Sequence, residues 1–272
     1  MIWKKVYCFM PARNEEKTLP RCLESLKNQT LKIHKITIIN DGSTDETKEI
    51  AKYYGCEVID LPFHPESYTT RAETIWKIAK VSNYAFPPPP DCDYILQHSP
   101  DTILPPNYIE FLVNKMEKNP KLVIASGSVK GEKTLKSHVR GVGRLYKSWF
   151  WNRYIKKFPL GLFSYESYPL FKARSLGLEV RSFPDLVMIT QRPTKAQLYL
   201  ENQGYAMREL GYFPPYAIAH CLRVFLRNQK IGIKMLLSYL RPFSKRTVEK
   251  DVKNWIKLYQ IHRILRLKVN ET

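Results

Sequence analysis

Between residues 5 and 126 short β-rich runs alternate with segments of helical periodicity, and this alternation constrains the fold more than any other feature of the 272-residue chain. Strands are expected over 5–10, 35–40, 56–61, 93–98 and 122–126. Leu19, Cys22, Leu23 and Leu26 recur at helical spacing between the first two. Ser43 or Thr44 can cap a second helix that ends before Gly55. Ala72, Ile75, Trp76 and Ala79 mark a third, and a fourth follows Pro105-Pro106 with Ile109, Leu112, Val113 and Met116 on one face. Such a βα alternation specifies an α/β protein with a mostly parallel sheet flanked by helices. The four prolines of 87–90 fit neither helix nor central strand and read as a stiff surface link.

With 44% apolar and 25% charged residues the chain can bury a substantial core, which excludes disorder. Every long apolar stretch, including 222–240, is broken by Lys or Arg, so no membrane span is expected. The N-terminus lacks the pattern of a secretory signal, and a cytoplasmic location is expected. Cys8, Cys22, Cys56, Cys92 and Cys221 are scattered, odd in number and without CxxC spacing. They read as buried thiols.

The 44 basic and 25 acidic residues leave a net charge of +19, unevenly placed. From residue 221 onward there are 13 Lys or Arg against Glu249, Asp251 and Glu271. Leu222, Phe225, Leu226, Ile233, Leu236, Leu237 and Leu240 line one face of an expected helix over 222–241, with Arg223, Arg227, Lys230, Lys234 and Arg241 beside it. The stretch 136–157 has the same flavour: seven Lys or Arg, no acid, and Tyr146, Trp149, Phe150, Trp151 and Tyr154 among them. Interleaved rings and cations suit an anionic membrane surface; a solvated helix whose rings pack on the core suits the same letters.

Two loops that follow strands are dense in polar residues: Pro11-Ala12-Arg13-Asn14-Glu15-Glu16 and Asn40-Asp41-Gly42-Ser43-Thr44-Asp45. Ligands of α/β sheets bind at the carboxyl ends of strands, so both loops open onto one crevice. Gly42 permits close backbone approach, and Asp41 can accept a hydrogen bond from a ligand. Taken singly, an ordinary turn and an ordinary helix cap explain each loop.

Taken together, PARNEEKTLPRCLESLKNQT and, after a short gap, ITIINDGSTDET resemble the start of family 2 glycosyltransferases, inverting enzymes that use nucleotide-sugars. Further landmarks extend the resemblance over residues 6–220. It implies the A-type glycosyltransferase fold, a Rossmann-like, mostly parallel sheet flanked by helices. The implied organisation is a catalytic domain over 1–220, with a nucleotide-sugar-binding half 1–131 and an acceptor half 132–220, followed by a basic helical extension 221–272. By position, Pro11, Arg13, Glu15 and Asp41 become donor contacts for a UDP- or GDP-linked sugar, and Arg71 a basic group near its phosphates.

The resemblance also implies Mg²⁺ or Mn²⁺, held in the family by Asp-x-Asp at the end of the fourth strand. Here Ser99 stands at the first aspartate and Asp101 at the second. Such ions need few protein ligands when diphosphate oxygens and waters complete the octahedron, so Asp101 is the expected ligand. His220 is a further candidate, His98 a weaker one, and His220 reads equally as a core or loop histidine. Asp91-Cys92-Asp93 precedes its strand and is rejected as the metal motif.

Transfer to a hydroxyl needs a carboxylate base. The family's acidic pair before a Gly-Tyr strand, here Gly204-Tyr205 or Gly211-Tyr212, is absent. Asp185 is the candidate base, Glu179 a poorer one, and Asp185 fits a surface loop as well. A phosphate acceptor needs no base. Arg174, Arg192 and the stretch 140–157 are candidates to receive one, such as a polyprenyl phosphate, or else a lipid-linked glycan, with the protein peripheral at the inner face of the membrane. Two other readings stand beside this one. A non-enzymatic nucleic-acid-binding protein suits the charge but leaves both loops unexplained and shows no known motif. A catalytically weak transferase homologue suits Ser99.

Overall fold

The structure, a computed structural model, describes residues 4–68, 73–132, 139–193, 196–241 and 245–265. The chain divides into two compact units, one made of Met1–Glu66, Lys80–Lys157 and Gly177–Pro193, the other of Ser67–Ala79, Phe158–Leu176 and Thr194–Thr272.

In chain order the elements of the first three-quarters are β1 (Val6–Ala12), α1 (Leu19–Lys27), β2 (Lys35–Asp41), α2 (Thr47–Tyr53), β3 (Glu57–Leu61), α3 (Lys77–Ser82), β4 (Tyr94–Gln97), β5 (Thr102–Ile103), α4 (Tyr108–Glu117), β6 (Leu122–Val129), β7 (Arg144–Lys147), α5 (Ser148–Phe150), α6 (Tyr168–Ser175) and β8 (Glu179–Thr190). The strands form one sheet in the order β3-β2-β1-β4-β7-β6-β8-β5. β1 pairs in parallel with β2 and β4, β2 with β3, and β6 with β8, while β7 runs antiparallel between β4 and β6. The carboxyl ends of β1, β2, β3, β4, β6 and β8 therefore share one edge of the sheet.

The central strand shows why the sequence folds this way. Val6, Cys8 and Met10 alternate into one layer with Leu19, Cys22, Leu23 and Leu26 of α1 and Ile109, Leu112, Val113 and Met116 of α4. On the other face Phe9 meets Phe86 edge-on at 5.0 Å, and Phe86 stacks on Trp151 at 4.6 Å. A parallel strand covered on both faces reads as the unbroken apolar run seen in the sequence. Each buried Leu or Ile contributes about 1.5–3 kcal/mol through this packing.

The stretch 136–157 is divided between interior and surface. Residues 136–138 lie outside the described residues; beyond them Arg144–Lys147 is strand β7 at the heart of the sheet. Tyr146, Phe150 and Trp151 are fully buried. Arg144 donates to the carbonyls of Arg140 and Val139 at 2.9 and 2.8 Å and to the Tyr146 hydroxyl at 3.1 Å. Burial pushes the Lys147 ammonium below its ordinary pKa. Arg144 and Lys147 serve the interior, whereas Trp149, Arg153, Lys156 and Lys157 of the same stretch are exposed.

The second unit holds α6 and the remaining helices α7 (Ala196–Glu201), α8 (Gln203–Glu209), α9 (Pro214–Phe225), α10 (Gln229–Leu240) and α11 (Lys250–Ile264). Its core joins Met207, Ala217, Cys221, Met235 and Tyr239. α8 crosses α10 at Gly204, where a Cβ would lie 2.1 Å from the Met235 carbonyl oxygen. Gly204-Tyr205 is thus helical, and Gly211 follows α8 with φ +69°, so neither Gly-Tyr pair lies in a strand. Glu209, buried, accepts hydrogen bonds from the Phe163 and Ser164 amides and the Ser164 hydroxyl at 2.9, 2.8 and 2.7 Å. Residues 220 and 221, expected to separate a catalytic domain from an extension, fall inside α9. The expected single helix over 222–241 is broken at Leu226–Asn228, and the Asn228 side chain accepts the Ile231 amide at 3.1 Å to start α10.

Candidate functional site

At the carboxyl edge of the first unit the two polar loops are stitched to one another. The amides of Asn14, Glu15 and Glu16 donate to Ser43 Oγ (3.0 Å), Thr47 Oγ1 (2.7 Å) and Asp45 Oδ2 (3.1 Å), and the Thr44 amide returns a bond to Asn14 Oδ1 (2.9 Å). Asn14 has φ +54°, a left-handed conformation that asparagine tolerates better than most residues. Gly42 has φ +63°, and a Cβ there would lie 2.7 Å from both Phe63 Cα and the Pro62 carbonyl oxygen. The third loop, after β3, is thereby pressed against the second.

That third loop brings a residue that the sequence alone did not single out. His64 Nε2 lies 3.2 Å from Asp41 Oδ1, and its Nδ1 lies 2.8 Å from an Arg13 guanidinium nitrogen. Arg13 also donates to the backbone carbonyls of His64 and Glu66. The same Arg13 nitrogen lies 3.0 Å from Nε2, so the imidazole is held between the guanidinium and the Asp41 carboxylate. Arg13 and Asp41, expected as donor contacts, are thus joined through one imidazole. The signal available in the sequence was position, since His64 follows a strand whose end opens on the same edge. Pro11 sits at the end of β1, in register with Ile39 of β2.

A second network lies beside the first. Arg192, just beyond β8, donates through one nitrogen to Glu15 Oε1 at 2.6 Å and through Nε to Asp101 Oδ2 at 3.3 Å. Glu15 Oε2 accepts from Thr18 Oγ1 at 2.6 Å. Asp101 Oδ1 accepts from Ser99 Oγ at 2.6 Å and from Thr102 Oγ1 at 3.3 Å. The Gln191 amide donates to the Asp101 carbonyl at 2.7 Å, which fixes where Arg192 begins. Two carboxylates and one guanidinium leave this cluster with a net charge of −1 and one carboxylate oxygen of Asp101 facing a cation. That donor set suits a divalent ion: a positive group already stands at Asp101, and a hydroxyl replaces the carboxylate at position 99.

Of the other expected residues, Asp185 lies in β8, two lie in the second unit and one falls outside the described residues. Asp185 lies in a bulge of β8 between the pairings of Ser182 and Val187 with β6. It lies five residues before the end of β8 at Thr190. It is an exposed strand residue. Arg174 and His220 belong to the second unit. Arg174 lies over the Phe171 ring at 5.8 Å, and His220 Nδ1 is 2.8 Å from an Arg223 nitrogen. Burial and Arg223 push the His220 pKa down. Arg71 lies outside the described residues. Among the described residues no group of three His, Cys, Asp or Glu is arranged to hold a metal. His98 is buried with Nε2 on the Thr102 carbonyl at 3.0 Å and Nδ1 without a partner. Burial pushes its pKa down to about 4, so the ring is neutral, and it points into the core rather than the crevice. Asp91 and Asp93 are tied to Lys5 and Lys4 at the amino end of β4, which agrees with rejecting them as the metal motif.

Comparison with known proteins places this edge. Residues 7–64, which contain Arg13, Glu15, Asp41 and His64, match the model of glycosyl transferase family 2. A 58-residue segment is 43% identical to 4,4'-diaponeurosporenoate glycosyltransferase of Staphylococcus aureus, covering 21% of this chain and 15% of that protein. The match thus spans a small part of the curated relatives' length. The fold is similar to that of S. aureus TarS 1-349 in complex with UDP, with a TM-score of 0.57 and 15% identity over 97% of this chain and 72% of the other. It is also similar to glucosyl-3-phosphoglycerate synthase from Mycobacterium tuberculosis in complex with Mn²⁺, UDP-glucose and phosphoglyceric acid, with a TM-score of 0.54 and 15% identity over 75% and 79% of the two chains. The sheet and its flanking helices have the A-type glycosyltransferase architecture.

Proposed function

We propose that this chain, which carries family 2 glycosyltransferase sequence over residues 7–64 on an A-type fold, transfers a sugar with inversion from a nucleoside-diphosphate donor bound at the carboxyl edge of its sheet. The observation that carries the reading is the convergence of Arg13, Glu15, Asp41, His64, Asp101 and Arg192 on that edge through two short networks. Pro11, Asp41 and the Arg13–His64 pair would take the base and ribose, with Arg71 toward the phosphates. The uridine nucleotides of the TarS and glucosyl-3-phosphoglycerate synthase complexes favour a UDP-linked donor over a GDP-linked one.

Asp101 would hold Mg²⁺ or Mn²⁺, with Ser99 beside it. When bound, such an ion supplies positive charge to the departing nucleoside diphosphate. Glu15 orients the Arg192 guanidinium toward the same place. Asp185 of β8 would act as base if the acceptor is a hydroxyl. An acceptor that is already anionic, such as a polyprenyl phosphate, needs positioning rather than deprotonation.

A membrane-borne acceptor is favoured by one further observation. Leu222, Leu226, Ile233, Leu237 and Leu240 of α9, α10 and their junction are exposed, Leu226 to 81%, with Arg223, Arg227, Lys230 and Arg241 among them. No helix among the described residues is long and apolar enough to cross a membrane. This surface suits peripheral attachment to an anionic, inner-face bilayer, with each cation near the surface worth about 1 kcal/mol.

A thermal-shift series with UDP-, GDP- and dTDP-sugars, each with and without Mn²⁺, tests the donor site: binding raises the melting temperature by mass action. Asp41→Ala is expected to remove the shift without unfolding the chain. An unchanged nucleotide-sugar affinity in that variant overturns the site assignment.

A further inference from the structure

Arg192 reaches across 177 residues of sequence to bridge Glu15 and Asp101. Its two bonds are unequal. The contact to Glu15 is short, at 2.6 Å, and Glu15 is itself buried and anchored by Thr18. The contact to Asp101 is long, at 3.3 Å, through Nε, and Arg192 is 49% exposed. The guanidinium is therefore tethered firmly at one end and loosely at the other. The loosely held end rests on Asp101, the carboxylate proposed above as the divalent-ion ligand. A cation and a guanidinium cannot share Asp101 Oδ2 without repelling each other.

We propose that Arg192 and a divalent cation are alternative occupants of Asp101. In the free chain Arg192 neutralises Asp101 and keeps the ion's affinity low. When ion and diphosphate arrive together, the ion takes Asp101, Glu15 retains the guanidinium, and the freed Nε–H and charge turn to the diphosphate oxygens. The charge balance supports a joint arrival. The resting cluster carries −1 and would repel a nucleoside diphosphate arriving alone, whereas ion and diphosphate entering together are nearly neutral. Arg192 is then a positioning residue for the donor rather than a contact for the acceptor. This inference rests on reading the edge as a nucleotide-sugar site.

The test is Mn²⁺ titration of the full chain followed by the electron paramagnetic resonance signal of free Mn²⁺, with metal alone and with UDP. The wild-type chain is expected to bind Mn²⁺ alone weakly and at least tenfold more tightly with UDP present. Arg192→Gln is expected to bind Mn²⁺ alone about tenfold more tightly than wild type and to lose most of the UDP enhancement. Asp101→Asn in the Arg192→Gln background should abolish the gain. In the unaltered chain, the Arg192 Nε–H nuclear magnetic resonance signal should move on adding Mg²⁺ with UDP and stay in place with Mg²⁺ alone. Equal Mn²⁺ affinity of wild type and Arg192→Gln in the absence of nucleotide, or an Nε–H signal unmoved by Mg²⁺ with UDP while UDP binds, overturns the exchange. Failure of every nucleotide to bind wild type counts instead against the donor-site reading, and the metal-alone comparison still judges the competition.

Discussion

Residues 140–157 and 222–241 are written in the same letters, cations interleaved with large apolar side chains, and the fold uses them in opposite ways. In the first, Arg144 and Lys147 are buried in β7 and Tyr146, Phe150 and Trp151 face the core. In the second, Ala217, Cys221, Met235 and Tyr239 already fill the inward faces of α9 and α10, which leaves the leucines at 222, 226, 237 and 240 outside. The difference lies in the partner available. A four-residue strand flanked by β4 and β6 places every residue in the interior, so its cations must find carbonyls. In the second unit the inward faces of α9 and α10 are already filled, and those leucines turn outward. A basic, aromatic stretch therefore says nothing about membranes until its neighbours are known.

The contrast can be broken by substitution, most sharply at Trp151. Its ring stacks on Phe86, meets Tyr146 at 4.9 Å and donates through Nε1 to the Lys156 carbonyl. Trp151→Ala is expected to cost about 4 kcal/mol in urea denaturation. Arg144→Met leaves two buried carbonyls and a hydroxyl short of a donor, and a loss of about 3 kcal/mol is expected in the same experiment. The outward region should respond in a different assay. Arg223→Gln with Arg227→Gln is expected to weaken cosedimentation with anionic liposomes by about 2 kcal/mol in total, less at high salt, with no change for neutral liposomes. Equal binding to both lipid types would remove the electrostatic argument. The smallest effect belongs to Leu226→Ser, expected to shift folding stability by no more than about 0.5 kcal/mol while reducing liposome binding. A large loss of stability there would show that the residue is covered.

The same contrast explains what the sequence could disclose. β1, β2, β3, β4 and β6 were readable because parallel strands with helices between them carry periodicity at short range. β7 was not, because its burial comes from β4 and β6 and its two cations disguise it as a surface segment. At the site, Arg13, Glu15, Asp41 and Asp101 were legible as residues that follow strands in a recognisable order. His64 was equally well placed but carried no motif. Arg192 was noticed for its charge and given an acceptor, since nothing local couples it to Glu15 at the other end of the sheet. Asp185 was chosen by type in the absence of a better acid, and it falls in a bulge of β8 that no local pattern announces.

Gly42 sets a rule for anyone exchanging parts between this chain and proteins of similar fold. With less than a methyl group's clearance between the second loop and the Pro62–Phe63 backbone, a larger residue at position 42 would displace the turn that aims His64 at Asp41. Residues 11–16, 41–47 and 62–66 therefore form one transplantable cassette. A chimera that imports the first two without the third inherits the motif but misaligns its imidazole. An attempt to re-engineer this edge has to move all three together.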